Sequence, residues 1–175
     1  MARAAKDCMA ASGTDGLTVT QIVRACGVTR QTFYRNFADK YALINWYFDK
    51  LLLESFARMG DGLTIREGLE RKFEFIHRER LFFANAFRSD GQNALREHDY
   101  ELILQFYTDL IRKKTGRRPA EDLLFCLKLY CRGSIHMTVD WILSPDKRTP
   151  ARMAALLTEA MPRKLAELFA SLGLL

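Results

Sequence analysis

The chain has 175 residues, 49% of them apolar, and a formal net charge of +6. That size and apolar share allow a packed core without metal or disulfide staples. No apolar run approaches the ~20 residues of a membrane span, and Met1-Ala2-Arg3-Ala4-Ala5-Lys6 leads into no signal-like stretch. A cytoplasmic protein with no membrane contact is expected. The basic balance permits an anionic partner, and residues 1–46 hold six basic against three acidic side chains, half the net charge in about a quarter of the chain. Cys8, Cys26, Cys126 and Cys131 show no metal-ligand spacing, and His77, His98 and His136 stand apart. No metal, cofactor or catalytic constellation is predicted, which argues against an enzyme.

The elements read as helices throughout, an all-α fold. A first helix runs from about Ala2 to Ser12 and stops at Gly13, before an Asp15-Gly16 turn. Thr18-Val19-Thr20-Gln21 fits a capping box, and Gly27 supplies a left-handed stop to the short helix it opens. Thr29 caps a third helix through Phe37, and Asp39 a long fourth from Lys40 to about Met59, with Leu43, Ile44, Tyr47, Phe48, Leu51, Leu52 and Phe56 on one face. Thr64-Ile65-Arg66-Glu67 is a second capping box. The aromatic stretch from Leu81 to Phe87 precedes a polar break at Ser89-Asp90-Gly91. Another helix covers about Ala94 to Lys114 and stops at Gly116. Pro119 suits a first-turn position of a helix reaching Leu143. Ser144-Pro145-Asp146 ends it, and Thr149-Pro150 starts a last helix that Pro162 kinks or divides.

Two short helices around a glycine turn are the ingredients of a helix-turn-helix. Ile22, Val23, Cys26, Val28, Phe33 and Phe37 form its small core. Thr29, Arg30, Gln31, Thr32, Tyr34 and Arg35 are left on the outer face. That set suits a major groove: Arg reads guanine, Gln adenine, Thr a thymine methyl, and hydroxyls hold phosphate. The plainer reading of the same residues, polar groups solvating a short surface helix, carries less weight than the groove reading.

Residues 17–43, LTVTQIVRACGVTRQTFYRNFADKYAL, resemble the TetR family signature at Thr18, Gly27-Val28, Thr29 to Thr32, Tyr34, Phe37 and Lys40. The phrase Arg30-Gln31-Thr32-Phe33-Tyr34-Arg35 with Asp39-Lys40-Tyr41 and Asn45-Trp46 is closest to the branch typified by the dihydroxyacetone kinase regulator. The resemblance implies a helix-turn-helix head over residues 1–46, continuous with a helical dimerisation and effector-sensing domain over 47–175. It further implies that Thr29, Arg30, Gln31, Thr32 and Arg35 face bases or flanking phosphates of double-stranded operator DNA, that Tyr34 and Lys40 hold phosphate, and that Thr18 and Thr20 open the second helix against the backbone. Family members usually carry a basic stretch and a fuller first helix. Here helix one starts almost at Met1.

Surplus apolar residues in 119–143 and 150–172, among them Leu127, Tyr130, Ile135, Val139, Leu165 and Phe169, point to a homodimer through a four-helix bundle. Phe83, Phe87, Phe106, Tyr107, Tyr130, His136, Met137 and Trp141 either line an effector pocket or pack plain core, with Ala86 and Gly133 as small residues at its border. The expected function is a sequence-specific DNA-binding regulator controlled by a small-molecule effector. The alternative is a regulator of the same build controlled by a partner protein. A buried cavity favours the first, and a filled core with an exposed apolar patch the second.

Overall fold

A computed structural model describes residues 1–88, 95–145 and 148–175, and the described residues form helices joined by short turns. The head comprises α1 (Ala2–Gly16), α2 (Val19–Cys26), α3 (Arg30–Tyr34) and the start of α4 (Lys40–Phe56). Gly13 does not end α1 as its position suggests. It takes φ 69° and ψ 177°, kinking the element, after which the chain re-enters helix to Gly16. The capping box of α2 forms as expected, the Gln21 amide donating to the Thr18 hydroxyl while Gln21 Oε1 accepts from Thr18 N at 2.7 Å. Gly27 closes α2 in the left-handed region at φ 66°. A side chain there would be strained, although nothing crowds it. The third helix is shorter than predicted, stopping at Tyr34 rather than Phe37. Asn36 donates from Nδ2 to the Thr32 carbonyl at 2.8 Å, tying the chain just past α3 back onto the helix.

The body contains α5 (Ile65–Arg78), α6 (Arg80–Arg88), α7 (Leu95–Thr115), α8 (Glu121–Leu143), α9 (Pro150–Glu159) and α10 (Arg163–Ser171). The second capping box opens α5, and the Thr64 amide and hydroxyl hold the Glu67 carboxyl below its ordinary range. Pro119 lies one residue before the α8 N-cap, Ala120, so it precedes the first turn instead of occupying it. Pro150 does occupy a first-turn position, and Pro162 divides the last helix, serving as N-cap of α10. The break at Ser89-Asp90-Gly91, the expected start at Ala94 and the turn residue Asp146 lie outside the described residues.

Head and body share one hydrophobic core running from Ala5 to Leu174. α1 packs on α6, α5 along α9, and α7 on α8. Gly68 permits a close approach within the body. A Cβ there would lie 2.5–2.9 Å from the Met59 side chain, so the turn after α4 seats directly on α5. The α1–α6 contact is polar at its centre: the buried Thr14 hydroxyl donates to the Asn85 carbonyl at 2.9 Å, and Asn85 Nδ2 donates to the Met9 carbonyl at 3.1 Å. Lys6 and Glu79 pair beside them at 2.5 Å.

Candidate nucleic-acid interface

Phe33 is fully buried and α3 is built around it. The ring meets Tyr34 edge-on at 5.4 Å and Phe37 at 5.8 Å, and Phe37 in turn meets Trp46 of α4. With that side of the helix fixed to the head, Thr29, Arg30, Gln31, Tyr34 and Arg35 are turned outward, all exposed, and Thr32 is half-buried. The Thr29 hydroxyl accepts from the Thr32 amide at 3.1 Å and shares a hydrogen with the Thr32 hydroxyl at 3.0 Å. Arg30 lies with its guanidinium 6.0 Å from the Tyr34 ring centroid, a contact that stiffens two long side chains one turn apart. Five of the six predicted residues, in α3 and at its two caps, are therefore exposed around the buried Phe33, and Thr32 is half-buried. Thr20 is half-buried in the first turn of α2. Thr18 is exposed beside it, but its hydroxyl is committed to Gln21 as both donor and acceptor.

Lys40 is placed otherwise than expected for a phosphate ligand. Its ammonium donates to the carbonyls of Thr14 at 2.9 Å, Asp15 at 3.1 Å and Leu17 at 3.0 Å. An ammonium has three N–H donors, and all three are occupied at the end of α1. Helix ends leave carbonyls without intrahelical partners, and a cation there is favoured by the helix dipole as well. Lys40 thus closes α1 from the first turn of α4. The sequence motif marked the residue, whereas its target depends on where α1 ends in space.

The expected effector residues do not gather into one pocket. Phe83 and Phe87 line a cavity of only about 10 Å³. Phe106 stacks on Phe56 at 4.7 Å and lines a separate open groove of about 410 Å³ between the end of α4 and α7. Tyr107 is buried beside Phe169 at 5.9 Å, and the Tyr130 hydroxyl donates to the Leu157 carbonyl at 3.0 Å, fastening α8 to α9. Trp141 is buried edge-on to Phe73, its Nε1 donating to the Arg148 carbonyl at 3.0 Å. His136 and Met137 face solvent. Gly133, expected near a cavity, stands in open space on the outer side of α8, and Ala86 is packed in the core.

Two features went unread in the sequence. Lys72, Asp99 and Thr138 are buried together at the small cavity, inside a core otherwise apolar. Burial pushes the Asp99 carboxyl up to about 6 and the Lys72 ammonium down, each opposed in part by the other's charge. The second feature is an exposed apolar stripe on α8, Phe125, Leu129 and Met137, with Gly133 between them. The predicted dimer residues Leu127, Tyr130, Ile135, Val139, Leu165 and Phe169 are instead consumed by the core of the single chain. Phe125, Leu129 and Gly133 follow at steps of four, a spacing readable as a helix face once the opposite face is assigned to the core.

Comparison with known proteins agrees with this architecture. Residues 2–47 match the family described as bacterial regulatory proteins, tetR family, and residues 64–163 match a transcriptional regulator C-terminal region. No curated protein sequence matches the chain. Among solved structures, the fold is similar to that of the dihydroxyacetone kinase operon activator DhaS, at 17% identity and a TM-score of 0.65, over 98% of this chain and 93% of that one.

Proposed function

Because the chain belongs to the TetR family of transcriptional regulators, we propose that it binds operator DNA as a homodimer and answers to a small-molecule effector. The observation that carries the DNA reading is α3 with its C-cap: a short helix anchored by one buried ring, Phe33, with an amide, two guanidinium groups and a phenol exposed around it. Arg30 and Gln31 read base edges, while Tyr34, Arg35 and the α2 start at Thr20 meet phosphate. The division falls at residues 46 and 47, within α4, so recognition and control share one helix. No helix among the described residues is long and apolar enough to cross a membrane, and the proposed place of action is the cytoplasm.

The second copy covers Phe125, Leu129 and Met137. Gly133 lets the facing helix approach, and the Asp122–Lys164 pair at 2.5 Å, which ties α8 to α10, flanks the contact. Such a dimer presents two α3 helices to an inverted repeat, whose half-sites lie about 34–36 Å apart. A ligand that favours one separation over another then controls binding. Control by a protein partner is the second reading, favoured by the open groove at Leu53, Phe56, Leu102 and Phe106 beside an interior cavity of only about 10 Å³.

Selection from a randomised duplex library tests the DNA reading. We expect an enriched inverted repeat bound in a salt-sensitive manner. An unenriched pool would sink it.

A further inference from the structure

We infer that the Lys72–Asp99–Thr138 cluster is the recognition site for a small neutral molecule that donates a hydrogen bond from a hydroxyl and carries an apolar remainder, an alcohol or a phenol. This rests on the small-molecule reading above and names the chemistry of the effector.

The argument begins with cost. Buried ionisable groups are disfavoured unless paired and hydrogen-bonded, and an apolar replacement is often as stable or more so. Lys72 and Asp99 are 4% and 2% exposed, yet Asp99 Oδ1 has no hydrogen-bond partner among the described residues. No short Lys72–Asp99 ion pair is formed among them either. Lys72 Nζ lies 5.2 Å from the Phe56 ring centroid instead. The cluster sits where α4, α5, α6, α7 and α8 converge on one cavity. Ionisable groups that burial perturbs and that line one cavity are candidates for a functional site.

The ligand's chemistry follows from what is unmet. Thr138 Oγ1 donates to the Ser134 carbonyl at 2.7 Å, which leaves its lone pairs free to accept. Asp99 Oδ1 is an acceptor as well, while the buried Lys72 Nζ brings N–H donors, so the visitor is a group that can both donate and accept, and a hydroxyl does both. Lys72 and Asp99 sum to no net charge, whether both are ionised or the proton has passed between them. A charged ligand would therefore leave a buried charge without compensation. The walls, Phe48, Leu52, Ile76, Phe83 and Phe87, suit an apolar body.

The cavity of about 10 Å³ has room for about one water. A larger occupant must push back the walls, and two of them, Phe83 and Phe87, belong to α6. The same helix holds α1 through Asn85. Occupation thus moves the element on which the head rests.

The test uses the full chain, with phenol and cyclohexanol as probes and toluene and benzoate as controls, followed by ligand-observed NMR titration. We expect saturable binding of phenol and cyclohexanol, at least tenfold weaker binding of both controls, and at least a tenfold loss for phenol in Thr138→Val and Asp99→Leu. Thr138→Val is nearly isosteric and keeps the fold testable if the second variant does not fold. Absence of saturable binding by both hydroxylic probes, equal binding of toluene or benzoate, or undiminished binding by Thr138→Val would overturn the inference. Operator binding measured on the same samples separates the two ideas: selected DNA bound without probe binding removes only this site, whereas probe binding without DNA binding removes the regulator reading.

Discussion

Replacing Lys40 with methionine separates a structural role from a phosphate contact. The wild-type ammonium makes three hydrogen bonds to carbonyls at the end of α1. A hydrogen bond to a charged group contributes about 1.5–3 kcal/mol. The Asp15 bond is exposed and the other two are part-buried, so the stranded carbonyls recover some hydration. Discounted for that hydration to about 1 kcal/mol per bond, the three bonds contribute about 3 kcal/mol in all. For a chain of this length, that is a fall in Tm of about 5–10 °C. Lys40→Arg should rescue poorly, because a planar guanidinium does not direct three donors at three carbonyls converging on one point. The assay is thermal unfolding by circular dichroism at matched protein concentration, beside operator titrations at several salt concentrations. A Lys40→Met protein with unchanged Tm but a salt slope reduced by about one ion would refute the capping role and restore the phosphate contact.

Arg30→Ala and Gln31→Ala should each weaken the best operator by about 1–3 kcal/mol and relax preference at one base position, read by competition binding against single-base variants. Tyr34→Phe should weaken all sites more evenly. Phe125→Glu with Leu129→Glu should leave each chain folded but shift light scattering from dimer to monomer, since both side chains already face solvent in the single chain. Asp99 makes a pH prediction with a definite sign. Its carboxyl is raised to about 6 from 3.8, so between those values the folded chain binds more protons than the unfolded one. Stability contributed by this group is present below the lower value and lost as pH rises through about 6. Urea unfolding should therefore show wild type gaining on Asp99→Asn as pH falls from about 7 to about 4, and a constant difference across that range would contradict the burial of an ionisable Asp99.

The local signals were legible because they depend on neighbours in the chain. Thr18 with Gln21, Thr64 with Glu67, Gly27 and Pro150 each act within one helical turn, and the structure places each where the sequence does. The exposed residues of α3 were legible for the same reason, since burying Phe33 in so short a helix leaves Arg30, Gln31 and Tyr34 outside the contact. What failed needed knowledge of which helices meet. Trp141 and Tyr130 read equally as pocket or core, and only the packing of α8 on its neighbours assigns them to the core. Lys40 sits in a motif that suggests phosphate, but its partners are 23 to 26 residues away in the chain and are brought there by the kink in α1. Lys72, Asp99 and Thr138 look like ordinary polar residues on separate helices, and helical periodicity carries no term for a polar group turned inward. Their convergence belongs to the tertiary structure alone, because a buried charge is defined by what surrounds it in space and by nothing adjacent to it in sequence.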